Sequence, residues 1–120
     1  MKKQGLERLI AATVNSKNGF KYLLRNEAAF RQELLLLVIL SPIAVMIGSS
    51  VFESIALIGV IILVLIVEIL NTAIEVAIDR IGVEQHELSG LAKDLGSAAV
   101  LLSLIFAGLF WFVVLIRLNI

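Results

Sequence analysis

The chain has no cysteine, and only one proline, one tryptophan, one tyrosine and one histidine in 120 residues. Without cysteine there is no disulfide framework, no cysteine-based zinc site and no thiol chemistry, and the redox compartment is left open. The sequence also lacks a G-x-x-x-x-G-K-S/T phosphate loop, a dinucleotide-binding G-x-G-x-x-G and the signature set of the soluble kinases. Charge of either sign is scarce and balanced, with ten basic and ten acidic residues. Nothing points to nucleic-acid binding, because the basic residues lie against apolar runs rather than forming a free patch. The N-terminus does not read as a cleavable signal peptide, since its basic residues are not followed by a compact apolar core and a small-residue cleavage site.

What the chain has in excess is apolar surface. Hydrophobic residues make up 60% and the mean hydropathy is +1.04, against about 45–50% apolar in a typical soluble domain. The class expected is an all-α membrane protein of one domain: an amphipathic surface helix over 1–25, then spans over 32–49, 54–75 and 97–117.

Over the first 25 residues Leu6, Leu9, Ile10, Thr13, Phe20 and Leu24 line one helical face, with Lys3, Glu7, Arg8, Asn15, Asn18 and Arg25 mainly off it. Such a helix suits the headgroup plane of a bilayer; packing on a soluble partner is the plainer alternative. Lys17 falls within the apolar stripe and can snorkel towards phosphates, and Gly19 marks a bend. Asn26 is expected as an N-cap with Glu27 in the first turn. The run Leu34–Gly48 is short for a span and carries Pro42, a potential kink. Arg80 to Leu95 reads as a polar loop, and Trp111 with Phe112 as interfacial aromatics near the end of the last span. Lys2, Lys3, Arg8, Lys17, Lys21, Arg25 and Arg31 precede the first span, Arg80 and Lys93 follow the second, and Arg117 stands alone beyond the third. The positive-inside rule then sets a cytoplasmic N-terminus and a non-cytoplasmic C-terminus.

The informative stretch is Glu68 to Asp79, which directly follows the unbroken apolar run Ile55–Val67. At about 100° per residue, Glu68, Asn71, Glu75 and Asp79 share a helical stripe roughly 80° wide. A charge near the bilayer centre costs at least about 2.5–3.5 kcal/mol, so the stripe requires a partner or a task. Glu27 and Glu75 are hard oxygen ligands of the kind Mg²⁺ accepts beside phosphate and water. Glu68, some 10.5 Å deeper by helix rise, can meet a lipid hydroxyl. Asn71 can bond to either, and Lys93 can neutralise phosphate charge. The plainer alternative for each is helix–helix adhesion, and a lone His86 is more often a loop or packing residue than a ligand.

The segment Glu68-x-x-Asn71-Thr72-Ala73-Ile74-Glu75-x-x-x-Asp79 resembles the signature of the bacterial integral-membrane diacylglycerol kinases. So do Asn26-Glu27-Ala28-Ala29-Phe30-Arg31-Gln32-Glu33, His86-Glu87-Leu88-Ser89-Gly90 and Ala92-Lys93-Asp94-Leu95-Gly96-Ser97-Ala98-Ala99, in the same order. Together with the pattern of one surface helix and three spans, the resemblance covers nearly the whole chain. It implies a homotrimer in the bacterial cytoplasmic (inner) membrane that transfers the γ-phosphate of MgATP to diacylglycerol, with sites shared between subunits. On that resemblance Glu68 is the proton acceptor, joined by Asn71 and Lys93, and Glu27 and Glu75 hold Mg²⁺ and nucleotide. Arg8, Asn15, Glu84, Gln85, His86, Lys93 and Asp94 contact ATP. Lipid substrate meets Arg8, the stretch Ala12-Thr13-Val14-Asn15-Ser16-Lys17, the stretch Ala29-Phe30-Arg31-Gln32-Glu33, Glu68, Ser97 and Trp111.

Asn15 stands where familiar enteric members have an aromatic residue near the adenine, and Lys17 where they have tryptophan; Gln85 and Leu91 also differ. These departures bear on the nucleobase contacts. Gram-positive relatives with the same signature favour undecaprenol, but Asn26–Glu33 and His86–Gly90 resemble the diacylglycerol branch more closely. A proton or ion transport subunit, from another class, predicts carboxylates spread along the depth of several spans. A purely structural membrane protein does not require Glu27, Glu75 and Lys93 to converge.

Overall fold

The computed structural model describes residues 4–82 and 86–119, and these form four helices: α1 (Leu6–Asn26), α2 (Ala28–Ile47), α3 (Val51–Ile81) and α4 (Glu87–Leu118). Three of them, α2, α3 and α4, are long and apolar enough to cross a membrane. With 31 and 32 residues, α3 and α4 exceed the roughly 20 residues that a bilayer core requires.

Helix α3 is the middle of the bundle. Its buried residues Leu57, Val60, Ile61, Val64, Leu65, Glu68, Asn71, Thr72 and Ile78 recur at three- and four-residue spacing, so one face is turned inward along its length. The apolar part of that face packs on Ala44 of α2 and on Ala107, Trp111 and Val114 of α4. Trp111 is itself buried, and its indole Nε1 donates to the Leu57 carbonyl across α3 and α4 at 3.0 Å. Many outward apolar residues stay uncovered, among them Val38, Leu102 and Val113, as lipid-facing side chains do.

The α2–α3 connection is tightly bonded. Ser50 caps α3 by accepting from the Glu53 amide at 3.1 Å, the Ser49 amide and hydroxyl donate to the Glu53 carboxylate, and Ser54 donates to Ala44 O at 2.9 Å. Arg117, at the far end of α4, closes a fork on the same Glu53 carboxylate.

Several local expectations are corrected. Asn26 ends α1, its side-chain amide bonded back to Tyr22 O, and Glu27 alone separates α1 from α2 in extended conformation. The region expected as a loop from Arg80 to Leu95 is mostly helix, since α3 runs to Ile81 and α4 begins at Glu87. A helix leaving the hydrocarbon can continue in water when its end is capped, and His86 caps α4 by accepting from the Leu88 amide. Helix α1 buries only Leu23, which meets Phe30 and Leu65 in a small separate cluster. Phe20 adds a tilted ring contact to Phe30, with centroids 6.4 Å apart.

Candidate active site

The inward face of α3 changes from apolar to polar at Glu68 without changing direction. Glu68 and Asn71 are buried, at 6% and 8% exposure. Glu75, one turn further, is half-buried, and Asp79 is exposed. The stripe thus opens step by step from the core to the surface. Asn71 Nδ2 donates to Glu75 Oε1 at 3.3 Å, while Asn71 Oδ1 is buried with no hydrogen-bond partner. The space for this side chain comes from Gly96 of α4, where an added Cβ would collide with Asn71 Oδ1.

Two further carboxylates approach from α2. Glu27 sits at the α1–α2 break, half-buried, and together with Glu75 lies within electrostatic range of Glu68. Glu33 is buried on α2, leaves Oε1 unbonded, and is within electrostatic range of Glu68 as well. The sequence sets Glu68 deeper than Glu75 and assigns Glu33 only to lipid contact; the structure buries both Glu68 and Glu33. The available signal was position, because Glu33 immediately precedes the first apolar run.

Among the described residues the ion pairs are Lys93–Asp79, at 3.0 Å, and Arg117–Glu53. Neither reaches the cluster of Glu27, Glu33, Glu68 and Glu75. Buried carboxylates without a paired cation are costly, so this end of the bundle is suited to receive positive charge and hydrogen-bond donors. The described residues contain no group of three or more acidic or histidine side chains able to enclose a metal ion. That does not bear against Mg²⁺, which usually binds through one or two carboxylates with phosphate and water completing its shell.

The other sequence-selected residues are placed as follows. Lys93 leans from α4 onto Asp79, and Asp94 is exposed. Arg8, Ala12, Thr13, Val14, Asn15, Ser16 and Lys17 are all exposed on α1. Thr13 and Ser16 hydroxyls donate to Leu9 O and Ala12 O, both at 2.8 Å. No hydrogen bond or ion pair among the described residues joins Arg8 or Asn15 to the cluster. In the Ala29–Glu33 stretch, Phe30 and Glu33 face inward, and Ala29, Arg31 and Gln32 outward. Arg31 Nη1 bonds Leu24 O at 3.0 Å, satisfying a carbonyl at the end of α1. Ser97 is exposed. Glu84 and Gln85 lie outside the described residues. Glu33 and Trp111 line one apolar groove of about 380 Å³, with Leu36 and Leu40 of α2, Ile61 of α3 and Leu115 of α4 among its walls.

An apolar helical bundle with three helices able to cross a membrane and carboxylates gathered towards one end of its central helix defines a multi-pass membrane protein. A family model described as Prokaryotic diacylglycerol kinase matches residues 14–115. The diacylglycerol kinase of Haemophilus influenzae is 46% identical over 110 residues, covering 92% of this chain and 93% of that protein. The diacylglycerol kinase of Escherichia coli K12 is 47% identical over 111 residues, covering 92% and 91%. That of Helicobacter pylori 26695 is 39% identical over 110 residues, covering 92% and 86%. The chain belongs to the prokaryotic diacylglycerol kinase family, and it is an enzyme, a lipid kinase of that family.

Proposed function

We propose that the chain uses MgATP to phosphorylate diacylglycerol, giving phosphatidic acid and ADP, at the cytoplasmic face of the bacterial inner membrane. The observation that carries this reading is Glu68: a buried carboxylate at the point where the inward face of α3 turns polar, flanked by Glu27, Glu75 and Asn71. The diacylglycerol hydroxyl oxygen forms its bond to the γ-phosphorus as the bond from that phosphorus to the bridging oxygen of ADP breaks. The hydroxyl proton passes to Glu68.

Glu27 and Glu75 hold Mg²⁺, which supplies charge neutralisation for the phosphates. Asn71 orients Glu75 through its amide, and Lys93, Asp94, His86, Glu84 and Gln85 contact the nucleotide. Arg8 and Asn15 reach it from α1. The lipid lies with its headgroup near Glu33 and Glu68. The apolar groove from Glu33 to Trp111 and Leu115 supports this reading, since it offers an acyl chain a dry path beside the buried carboxylates. Residues 1–25 rest on the membrane surface, where Ala12–Lys17 and Ala29–Gln32 meet lipid, with Ser97 close by. The chain crosses at 32–49, 54–75 and 97–117, N-terminus inside and C-terminus outside. It works as a homotrimer, because one thin bundle cannot by itself enclose both the polar stripe and a nucleotide.

The test is transfer of label from γ-labelled ATP by purified protein in mixed micelles offering diacylglycerol and undecaprenol together. Label in phosphatidic acid supports the proposal; label in the polyprenol alone overturns the choice of lipid.

A further inference from the structure

We propose that Asp79 is a positioning residue that steers the Lys93 ammonium away from Glu75, keeping the Glu75 carboxylate open for a divalent cation. The inference rests on the reading of Glu75 as a metal ligand. Its starting point is the register of α3 against α4. Gly96 faces Asn71 closely enough that a Cβ there would collide with Asn71 Oδ1, which fixes one level of the seam. Moving from that level towards the polar end, Glu75 lies about 6 Å further along α3, and the root of Lys93 about 4.5 Å further along α4. Lys93 is therefore rooted nearly level with Glu75. Yet its Nζ is found 3.0 Å from Asp79 Oδ1, and Asp79 lies about 12 Å beyond Asn71. The side chain reaches past the nearer carboxylate to the farther one.

Two features favour this outcome. Helix side chains lean towards their own N-terminus, which for α4 is the direction of Asp79. Glu75 is also partly engaged by the Asn71 amide. Without Asp79, Lys93 is left rooted nearly level with Glu75, and a Lys93–Glu75 pair would occupy a metal ligand and a phosphate-binding cation together. The Lys93–Asp79 pair is solvent-exposed, with side chains 43% and 66% accessible, so it contributes little to folding. A purely structural account thus expects almost no effect from its loss.

The experiment measures Mn²⁺ binding to the detergent-solubilised protein with a non-hydrolysable ATP analogue, from the electron paramagnetic resonance signal of free Mn²⁺. Asp79→Asn should weaken binding about two- to fivefold, the upper part of the range of a competing ion pair. Asp79→Glu should restore much of it, and in a Lys93→Met background Asp79→Asn should have no effect. Wild-type affinity in Asp79→Asn, or an equal loss with Lys93 already removed, would overturn the role of Asp79. Glu75→Gln is the control. If it leaves Mn²⁺ binding unchanged, the metal assignment of Glu75 falls and this proposal with it. If Glu75→Gln weakens binding and Asp79→Asn does not, only the role of Asp79 is refuted.

Discussion

Replacing Gly96 by alanine adds a single methyl group where α4 meets α3, and that carbon would overlap Asn71 Oδ1. The obstacle is the tip of a short side chain, so Asn71 can turn aside without moving either helix. In turning it gives up its bond to Glu75. The stability terms nearly cancel. Alanine improves a helix interior by about 0.5–1 kcal/mol over glycine, while the lost hydrogen bond and local crowding cost about 1–2 kcal/mol. Gly96→Ala should therefore fold, with a melting temperature within a few degrees of wild type. Activity should respond more strongly, because a misplacement of about 1 Å at a reacting group can cost about 10²-fold. We expect kcat for diacylglycerol phosphorylation to fall roughly 10–100-fold. In an Asn71→Ala background the added methyl should cost nothing further. The assay is steady-state phosphorylation in mixed micelles beside thermal unfolding in the same detergent. Wild-type kcat with wild-type stability would refute the account of Asn71, and a further loss in the double variant would show that Gly96 acts by another route.

Two further outcomes are expected. If sites are shared between subunits, mixing Glu68→Gln protein with Lys93→Met protein should recover part of the activity that each lacks. No recovery in verified mixed trimers would mean that each site is built within one chain. A reporter active only in the cytoplasm should be silent when fused after Ile120 and active when fused before Met1, given the nine-to-one division of Lys and Arg across the proposed membrane. Activity at the C-terminal fusion would reverse the topology.

The apolar helices and the polar stripe were legible because both are patterns of period. Runs of aliphatic residues mark α2, α3 and α4, and the spacing of Glu68, Asn71, Glu75 and Asp79 places them on one face of α3. The four quoted motifs led to the family, and the comparisons bear that out. Contacts between helices were not legible. The length of α3 and α4 beyond the expected spans depends on caps such as His86 Nδ1, which periodicity does not register. Trp111, an interfacial aromatic by its place in the sequence, turns inward because the Leu57 carbonyl offers its indole a partner. Glu33 counts as a boundary charge in sequence, yet its burial follows from where α2 crosses α3. The pairing of Lys93 with Asp79, and the room Gly96 leaves for Asn71, arise only when α4 is laid against α3.

The central claim is that Glu68 takes the proton from the lipid hydroxyl, and Glu68→Gln tests it most directly. The amide has nearly the shape of the carboxyl group and keeps a hydrogen-bonding function, so assembly and MgATP binding should persist. A general base contributes about 10²–10⁴-fold, and turnover should fall by that factor at least. The measurement is the single-turnover rate of phosphatidic acid formation at saturating MgATP, with nucleotide binding measured on the same sample. The account predicts intact binding and a rate lower by about 10² or more. A near-normal rate with intact binding would contradict it and leave Glu68 as a packing residue of α3.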